Sequence, residues 1–116
     1  MTGRILVLDD DPLLALDVGT TLEEGGFGLF GLCHSVREAE AMLADDTPDA
    51  AVLDVNLGRG ETSLPVAQRL RELGVPFVLL SGYEPSAFPP ELQSAQRMAK
   101  PFRPQELLRT VGEMLG

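Results

Sequence analysis

Ile5-Leu6-Val7-Leu8-Asp9-Asp10-Asp11-Pro12 passes without a spacer from an unbroken apolar run to three carboxylates and a proline. The run is short, partly β-branched and apolar at every position, the pattern of a strand buried on both faces. Asp11 and Pro12 then read as a helix start. A carboxylate there can accept from the first-turn N–H groups, and a proline at the first helical position removes an N–H that would have no partner. Leu14, Val18 and Leu22 follow at i, i+4 and i+8, and Gly25-Gly26 ends the helix. A buried strand feeding straight into an amphipathic helix is a βα unit.

The unit repeats along the chain. Residues 27–33 read as a weak second strand diluted by Gly28 and Gly31. Ser35-Val36-Arg37-Glu38 predicts a capping box for a helix running to about Asp45. Asp49-Ala50-Ala51-Val52-Leu53-Asp54 predicts a third buried strand, and Leu57-Gly58-Arg59-Gly60-Glu61 a loop after it. Leu64, Ala67, Leu70 and Leu73 mark one helical face closed by Gly74, and Phe77-Val78-Leu79-Leu80 a fourth strand. Pro85, Pro89 and Pro90 argue against a regular helix in the next position, and a segment at 84–94 is expected to be mobile until a modification or a partner orders it. Residues 96–99 give a short fifth strand. Pro104 opens a last helix carrying Leu107, Leu108, Val111, Met114 and Leu115. Strands alternating with helices imply parallel pairing through right-handed crossovers, hence an α/β fold: a doubly wound, five-stranded parallel sheet with an irregular fourth helix.

Composition agrees. The 116 residues, 44% hydrophobic and 23% charged, suit one folded domain over 1–116, with no repeat, linker or low-complexity segment. A net charge of −9 from 9 basic and 18 acidic residues disfavours direct binding to nucleic acid or to an acidic membrane surface, whose phosphates the field repels. One cysteine, Cys33, excludes an internal disulfide and a Cys-rich zinc module. No stretch fits a signal peptide or a membrane span, so a cytoplasmic location is expected.

In such a sheet the functional groups gather where strands end at their carboxyl edge. The first strand delivers Asp9, Asp10 and Asp11; the third delivers Asp54 and then Asn56; the fourth delivers Ser81 and Gly82; the fifth delivers Lys100 and Pro101. Like charges about 4 Å apart cost roughly 4 kcal/mol per pair at an effective dielectric near 20. Either the carboxylates hold protons or a cation joins them, and an oxygen-only ligand set favours a hard divalent ion, Mg²⁺. Lys100 and Ser81 opposite the acids suit a phosphoryl group, whose transfer needs mainly alignment and charge neutralisation. A carboxylate can itself be the nucleophile and become an acyl phosphate.

These residues, in this order and across the whole chain, resemble the receiver domain of bacterial two-component response regulators. The matching elements are Asp9-Asp10, Asp54, Ser81 and Lys100-Pro101-Phe102. The resemblance implies the flavodoxin-like (βα)5 receiver fold. It also implies that Asp54 accepts a phosphoryl group from a phosphohistidine on a kinase or a histidine phosphotransfer protein. Asp10 and Asp54 would bind Mg²⁺ directly, with the backbone carbonyl of Asn56 as third protein ligand and Asp9 acting through bound water. Ser81 and Lys100 would contact the phosphoryl oxygens, and a downstream protein partner would sense the change. Pro76-Phe77-Val78-Leu79-Leu80-Ser81-Gly82-Tyr83 is similar to the signature of the alphaproteobacterial FATGUY stand-alone receivers, which implies a stress-response setting.

Two positions depart from the usual receiver. Leu57-Gly58 stands where Met-Pro is common, and Arg97 stands where many receivers carry an aromatic switch residue, leaving Tyr83 as a substitute relay. Pro101 is expected to need a cis peptide bond to turn the loop. Two other functions compete. Asp9-x-Asp11 after an apolar strand also resembles the nucleophile motif of haloacid dehalogenase-type phosphatases, although Pro12 follows it and a later acidic pair is missing. A phosphorylation-independent interaction module on the same scaffold is the third reading.

Overall fold

The computed structural model describes residues 3–82 and 88–116. Five strands, β1 (Arg4–Leu8), β2 (Gly28–Cys33), β3 (Ala50–Asp54), β4 (Phe77–Ser81) and β5 (Arg97–Ala99), form one sheet in the order β2-β1-β3-β4-β5. All four pairings are parallel. Four helices connect or follow them: α1 (Pro12–Glu24), α2 (Val36–Asp45), α3 (Leu64–Leu73) and α4 (Pro104–Leu115). This is the doubly wound, five-stranded parallel α/β architecture that the alternating pattern predicts.

The continuous apolar strands are explained by burial on both faces. Ile5 and Val7 pack with Val18, Leu22, Leu107 and Val111, from α1 and α4. Leu6 and Leu8 point the other way, into a cluster with Leu43, Val66 and Leu70 from α2 and α3. Each fully buried leucine or valine contributes about 1.5–3 kcal/mol relative to exposure, so the strands are held by side-chain burial as well as by their ladders. The chain leaves β1 toward β2 on one side and returns through β3 on the other. The crevice between β1 and β3 is therefore the topological switch point where such sheets bind ligands.

Local chemistry sets the joints. Asp11 caps α1, its Oδ1 accepting from Leu13 N–H at 3.0 Å and Leu14 N–H at 3.4 Å, with Pro12 next in line. At α2 the predicted capping box is only half made. Ser35 Oγ accepts from Glu38 N–H at 3.1 Å, but the Glu38 carboxylate accepts from His34 N–H, one residue earlier than the motif requires. In β2 the register shifts between Ile5 and Leu6, so Phe30 is passed over. At Gly31 a Cβ would lie 2.1 Å from Met42 Cε, so a side chain there would have to displace the end of Met42.

The fourth connection differs most from a regular βα unit. Tyr83, the substitute relay, and residues 84–87 lie outside the described residues. Those from 88 onward hold a single 3-10 turn, Pro90–Leu92. Phe88 and Leu92 are buried in the α2/α3-side core, and Arg71 Nη1 donates to Glu91 O at 3.0 Å. Among the described residues, 88–94 form no regular helix, as the proline spacing predicts, and two buried apolar residues seat the backbone instead.

Candidate functional site

The four strand ends meet at an open cavity of about 470 Å³, lined by Asp9, Asp10, Asp54, Asn56, Gly58 and Lys100, with Asp11, Leu14 and Gly82 at its margins. Asp9 follows the last residue of β1 and is only 2% exposed. Its backbone N–H donates to Cys33 O at 3.0 Å. Its Oδ1 accepts from Asp11 N–H at 2.9 Å. Asp54 ends β3 and is 6% exposed, yet it faces the cavity. Asp10 is exposed at the rim. Carboxylate oxygens of Asp9, Asp10 and Asp54 all lie within 4.8 Å of one another.

Lys100 arrives from the far side of the sheet. Its backbone N–H donates to Ser81 O at 3.0 Å, extending the β4–β5 ladder, and the Lys100-Pro101 peptide is cis, as expected. The ammonium Nζ sits 3.2 Å from Asp54 Oδ1 and 3.4 Å from Asp9 Oδ2. Ser81 is buried at the end of β4 and is not among the residues lining the cavity. Asn56 is exposed at the cavity, its Oδ1 accepting from Gly58 N–H at 3.0 Å. Arg97, at the aromatic switch position of many receivers, is exposed on the edge strand β5.

The electrostatics are unbalanced. Burial, the charge of Asp9 and a hydrogen bond with Asp10 push the Asp54 carboxyl up to about 7, against the opposing pull of Lys100. Burial alone would favour neutral Lys100, but Asp54 and Asp9 outweigh it and raise its pKa, so the ammonium persists. One ammonium cannot neutralise three clustered carboxyls. An added divalent cation would relieve the excess, and an all-oxygen donor set of carboxylates is the chemistry that Mg²⁺ takes. The residues present thus fit such an ion.

Gly58 is a site residue that residue chemistry alone does not single out. Its φ is +82°, a conformation proline cannot adopt, which explains why this chain departs from the Met-Pro form of the loop. A Cβ there would lie 3.5 Å from Asp10 Oδ2, so its backbone forms the cavity wall opposite Asp10. The signal was the looser Leu57-Gly58 turn itself.

Comparison with known proteins agrees with the geometry. The profile of the response regulator receiver domain matches residues 5–112. The phyllosphere-induced regulator PhyR of Methylorubrum extorquens is 26% identical over 99% of this chain and 44% of its own length. Response regulator MprA of Mycobacterium bovis is 32% identical over 99% of this chain and 51% of its own. The chain thus spans about half the length of these curated relatives, or less. Among solved structures, SdrG from Sphingomonas melonis Fr1 superposes with a TM-score of 0.83 at 31% identity, covering 99% of this chain and 98% of that one. With the sheet order, the acid cluster at the switch point and a family match across nearly all its residues, the chain belongs to the response regulator receiver domains, the signal-accepting modules of two-component systems.

Proposed function

We propose that Asp54 is the phosphoacceptor of this receiver, taking a phosphoryl group from a phosphohistidine on a histidine kinase or a histidine phosphotransfer protein. The observation that carries this reading is the Lys100 ammonium 3.2 Å from Asp54 Oδ1, at the wall of an open cavity that two further carboxylates share. A carboxylate oxygen of Asp54 attacks phosphorus, the P–N bond breaks, and the imidazole leaves with its electron pair and takes up a proton. Asp54 then carries the group as an acyl phosphate.

Asp10, Asp54 and the backbone carbonyl of Asn56 would hold Mg²⁺, with Asp9 acting through bound water. When bound, the ion supplies positive charge to the phosphoryl oxygens. Lys100 stays protonated and can leave its contact with Asp54 for a phosphoryl oxygen as charge moves outward. Ser81, adjoining Lys100 through the β4–β5 ladder, would take another phosphoryl oxygen. The backbone N–H of Asp11 holds Asp9 Oδ1, and Lys100 holds Oδ2. Both oxygens of Asp9 are engaged, which favours Asp54 over Asp9 as nucleophile and the receiver over the phosphatase reading.

We read residues 1–116 as one receiver domain that acts in the cytoplasm and signals by phosphorylation-dependent binding of a downstream protein. The Pro76–Tyr83 signature, with the likeness to PhyR, a stress response regulator, supports a pathway in stress response. Among the described residues no helix is long and apolar enough to cross a membrane.

Intact-mass measurement after incubation with Mg²⁺ and acetyl phosphate tests the central claim. The wild type is expected to gain one phosphoryl mass and Asp54→Asn none. A gain that survives in Asp54→Asn but vanishes in Asp9→Asn would transfer the nucleophile to Asp9. No gain in the wild type would leave the phosphorylation-independent module as the better reading.

A further inference from the structure

Asn56 and Gly58 reach the cavity on a short hairpin that follows β3. Asn56 pairs with Thr62 in an antiparallel bridge. Leu57 N–H donates to Glu61 O at 2.9 Å, Glu61 N–H donates to Gly58 O at 2.9 Å, and Ser63 N–H returns to Val55 O at 3.0 Å. The tip turns through Gly58, Arg59 and Gly60, with φ values of +82°, +54° and +75°. For Arg59 this is an uncommon conformation that the surroundings must sustain. Leu57 anchors one flank in the core. The other flank faces a second cavity of about 300 Å³, lined by His34, Ser35, Leu57, Gly58, Arg59 and Glu61. Packing therefore does not stop the hairpin from moving toward α2. Gly58 lines both cavities, so such a movement would shift the wall of the phosphoacceptor site.

Glu61 spans the gap. Its Oε1 accepts from the backbone N–H of Val36 at 3.2 Å. Val36 is the first residue of α2, where N–H groups have no partner within the helix and the dipole favours a carboxylate. The two neighbouring acceptors at this helix end are engaged elsewhere: Ser35 Oγ takes Glu38 N–H, and Glu38 takes His34 N–H. Glu61 thus supplies a cap that the local sequence does not, from 25 residues away.

We propose that Glu61 is a positioning residue for the cation site: its bond to Val36 N–H holds the hairpin so that the Asn56 carbonyl and the Gly58 backbone keep their places around Asp10 and Asp54. The inference rests on the proposed Mg²⁺ site. Outer partners that hold a metal ligand in place are worth about 10–100-fold in affinity, and this contact sits at the lower end because it acts through backbone.

The test is Mg²⁺ affinity by calorimetry, measured well below the unfolding midpoint, on the wild type and three variants. Glu61→Ala is expected to weaken binding about tenfold. Glu61→Gln keeps an oxygen acceptor without the charge and is expected to restore most of the affinity, which separates positioning from a long-range field effect. Val36→Pro removes the donor from the other side, at a helix position that tolerates proline, and is expected to weaken binding as Glu61→Ala does with Glu61 intact. Wild-type affinity in Glu61→Ala, or equal losses in Glu61→Ala and Glu61→Gln, would overturn the proposal. If the wild type binds no Mg²⁺, or Asp54→Asn binds it as tightly as the wild type, it is the cation-site reading that fails instead.

Discussion

The acid site at the sheet's carboxyl edge and the connection between β4 and β5 are built by different means. At the ends of β1 and β3 the polar groups are fixed by hydrogen bonds: Asp9 to Asp11 N–H and Lys100, Asn56 to Gly58 N–H, the hairpin to α2 through Glu61. Past the end of β4, the described part of the connection to β5 is fixed by apolar anchors, Phe88 and Leu92, and by Arg71 bonding a carbonyl. The first half holds charge in a set geometry. The second holds backbone against a core that carries no charge. The Lys100 side chain crosses from the second half to the acids of the first, so chemistry at Asp54 reaches the β4–β5 side through it.

That division makes the halves separable by mutation. Leu92→Ala removes a fully buried anchor and is expected to lower the unfolding free energy by about 2–5 kcal/mol while leaving Mg²⁺ affinity within a factor of two, read from denaturant melts and calorimetry on one preparation. A parallel loss of Mg²⁺ affinity would show that the halves are one cooperative unit. Lys100→Met acts at the crossing point. Phosphorylation of Asp54 by acetyl phosphate is expected to slow about a hundredfold or more, as when a positioned donor to a transferring group is removed. With the lowering influence of Lys100 gone, the Asp54 carboxyl should also titrate higher, visible as a shifted carboxyl resonance.

The acid half carries a pH signature that the apolar half lacks. In metal-free protein the Asp54 carboxyl titrates near 7, against about 3.9 in an unfolded chain. Between those values the folded state holds a proton that the unfolded state has released, so unfolding sheds a proton and rising pH favours it. The contribution of Asp54 is fully present below about pH 4 and is lost as pH rises through 7, with a ceiling of about 4 kcal/mol that access to the open cavity reduces. Melts from pH 5 to 8 should show this slope in the wild type and a flatter one in Asp54→Asn. Saturating Mg²⁺, which favours the ionised carboxylate, should flatten it too. An identical slope in Asp54→Asn would assign the proton to another group.

What was legible in the sequence follows the same line. Apolar runs that stop at acids or at lysine located Asp9, Asp10, Asp54 and Lys100, because a strand buried on both faces leaves its polar residues no place but its ends. Proline spacing excluded a regular helix before β5. It could not show that Phe88 and Leu92 pin the segment, since a pair of apolar residues among prolines has no period to read. The register shift at Phe30 and the glycine beneath Met42 depend on how two elements meet. Glu38 followed the capping-box spacing, yet its carboxylate went to His34 N–H. Glu61 was invisible because its partner is a backbone N–H on a different element. Ser81 matched the family pattern, and Gly82, the residue after it and just past the end of β4, lines the cavity.

Arg71 gives the finest test of the division. It lies in the last turn of α3, with its guanidinium 5.4 Å from the centre of the Phe77 ring and Nη1 donating to Glu91 O. Both contacts are exposed enough to be worth little singly, so Arg71→Ala is expected to cost about 0.5–1 kcal/mol. Its effect should be local. The amides of Leu92, Gln93 and Ala95, which bond within the 89–95 turn, should exchange faster in Arg71→Ala, while those of Leu57, Glu61 and Ser63 in the hairpin stay at wild-type rates. Equal acceleration in both sets would mean that α3, which begins at the hairpin and ends at Arg71, transmits the loss along its length. The two regions would then be coupled through that helix as well as through Lys100.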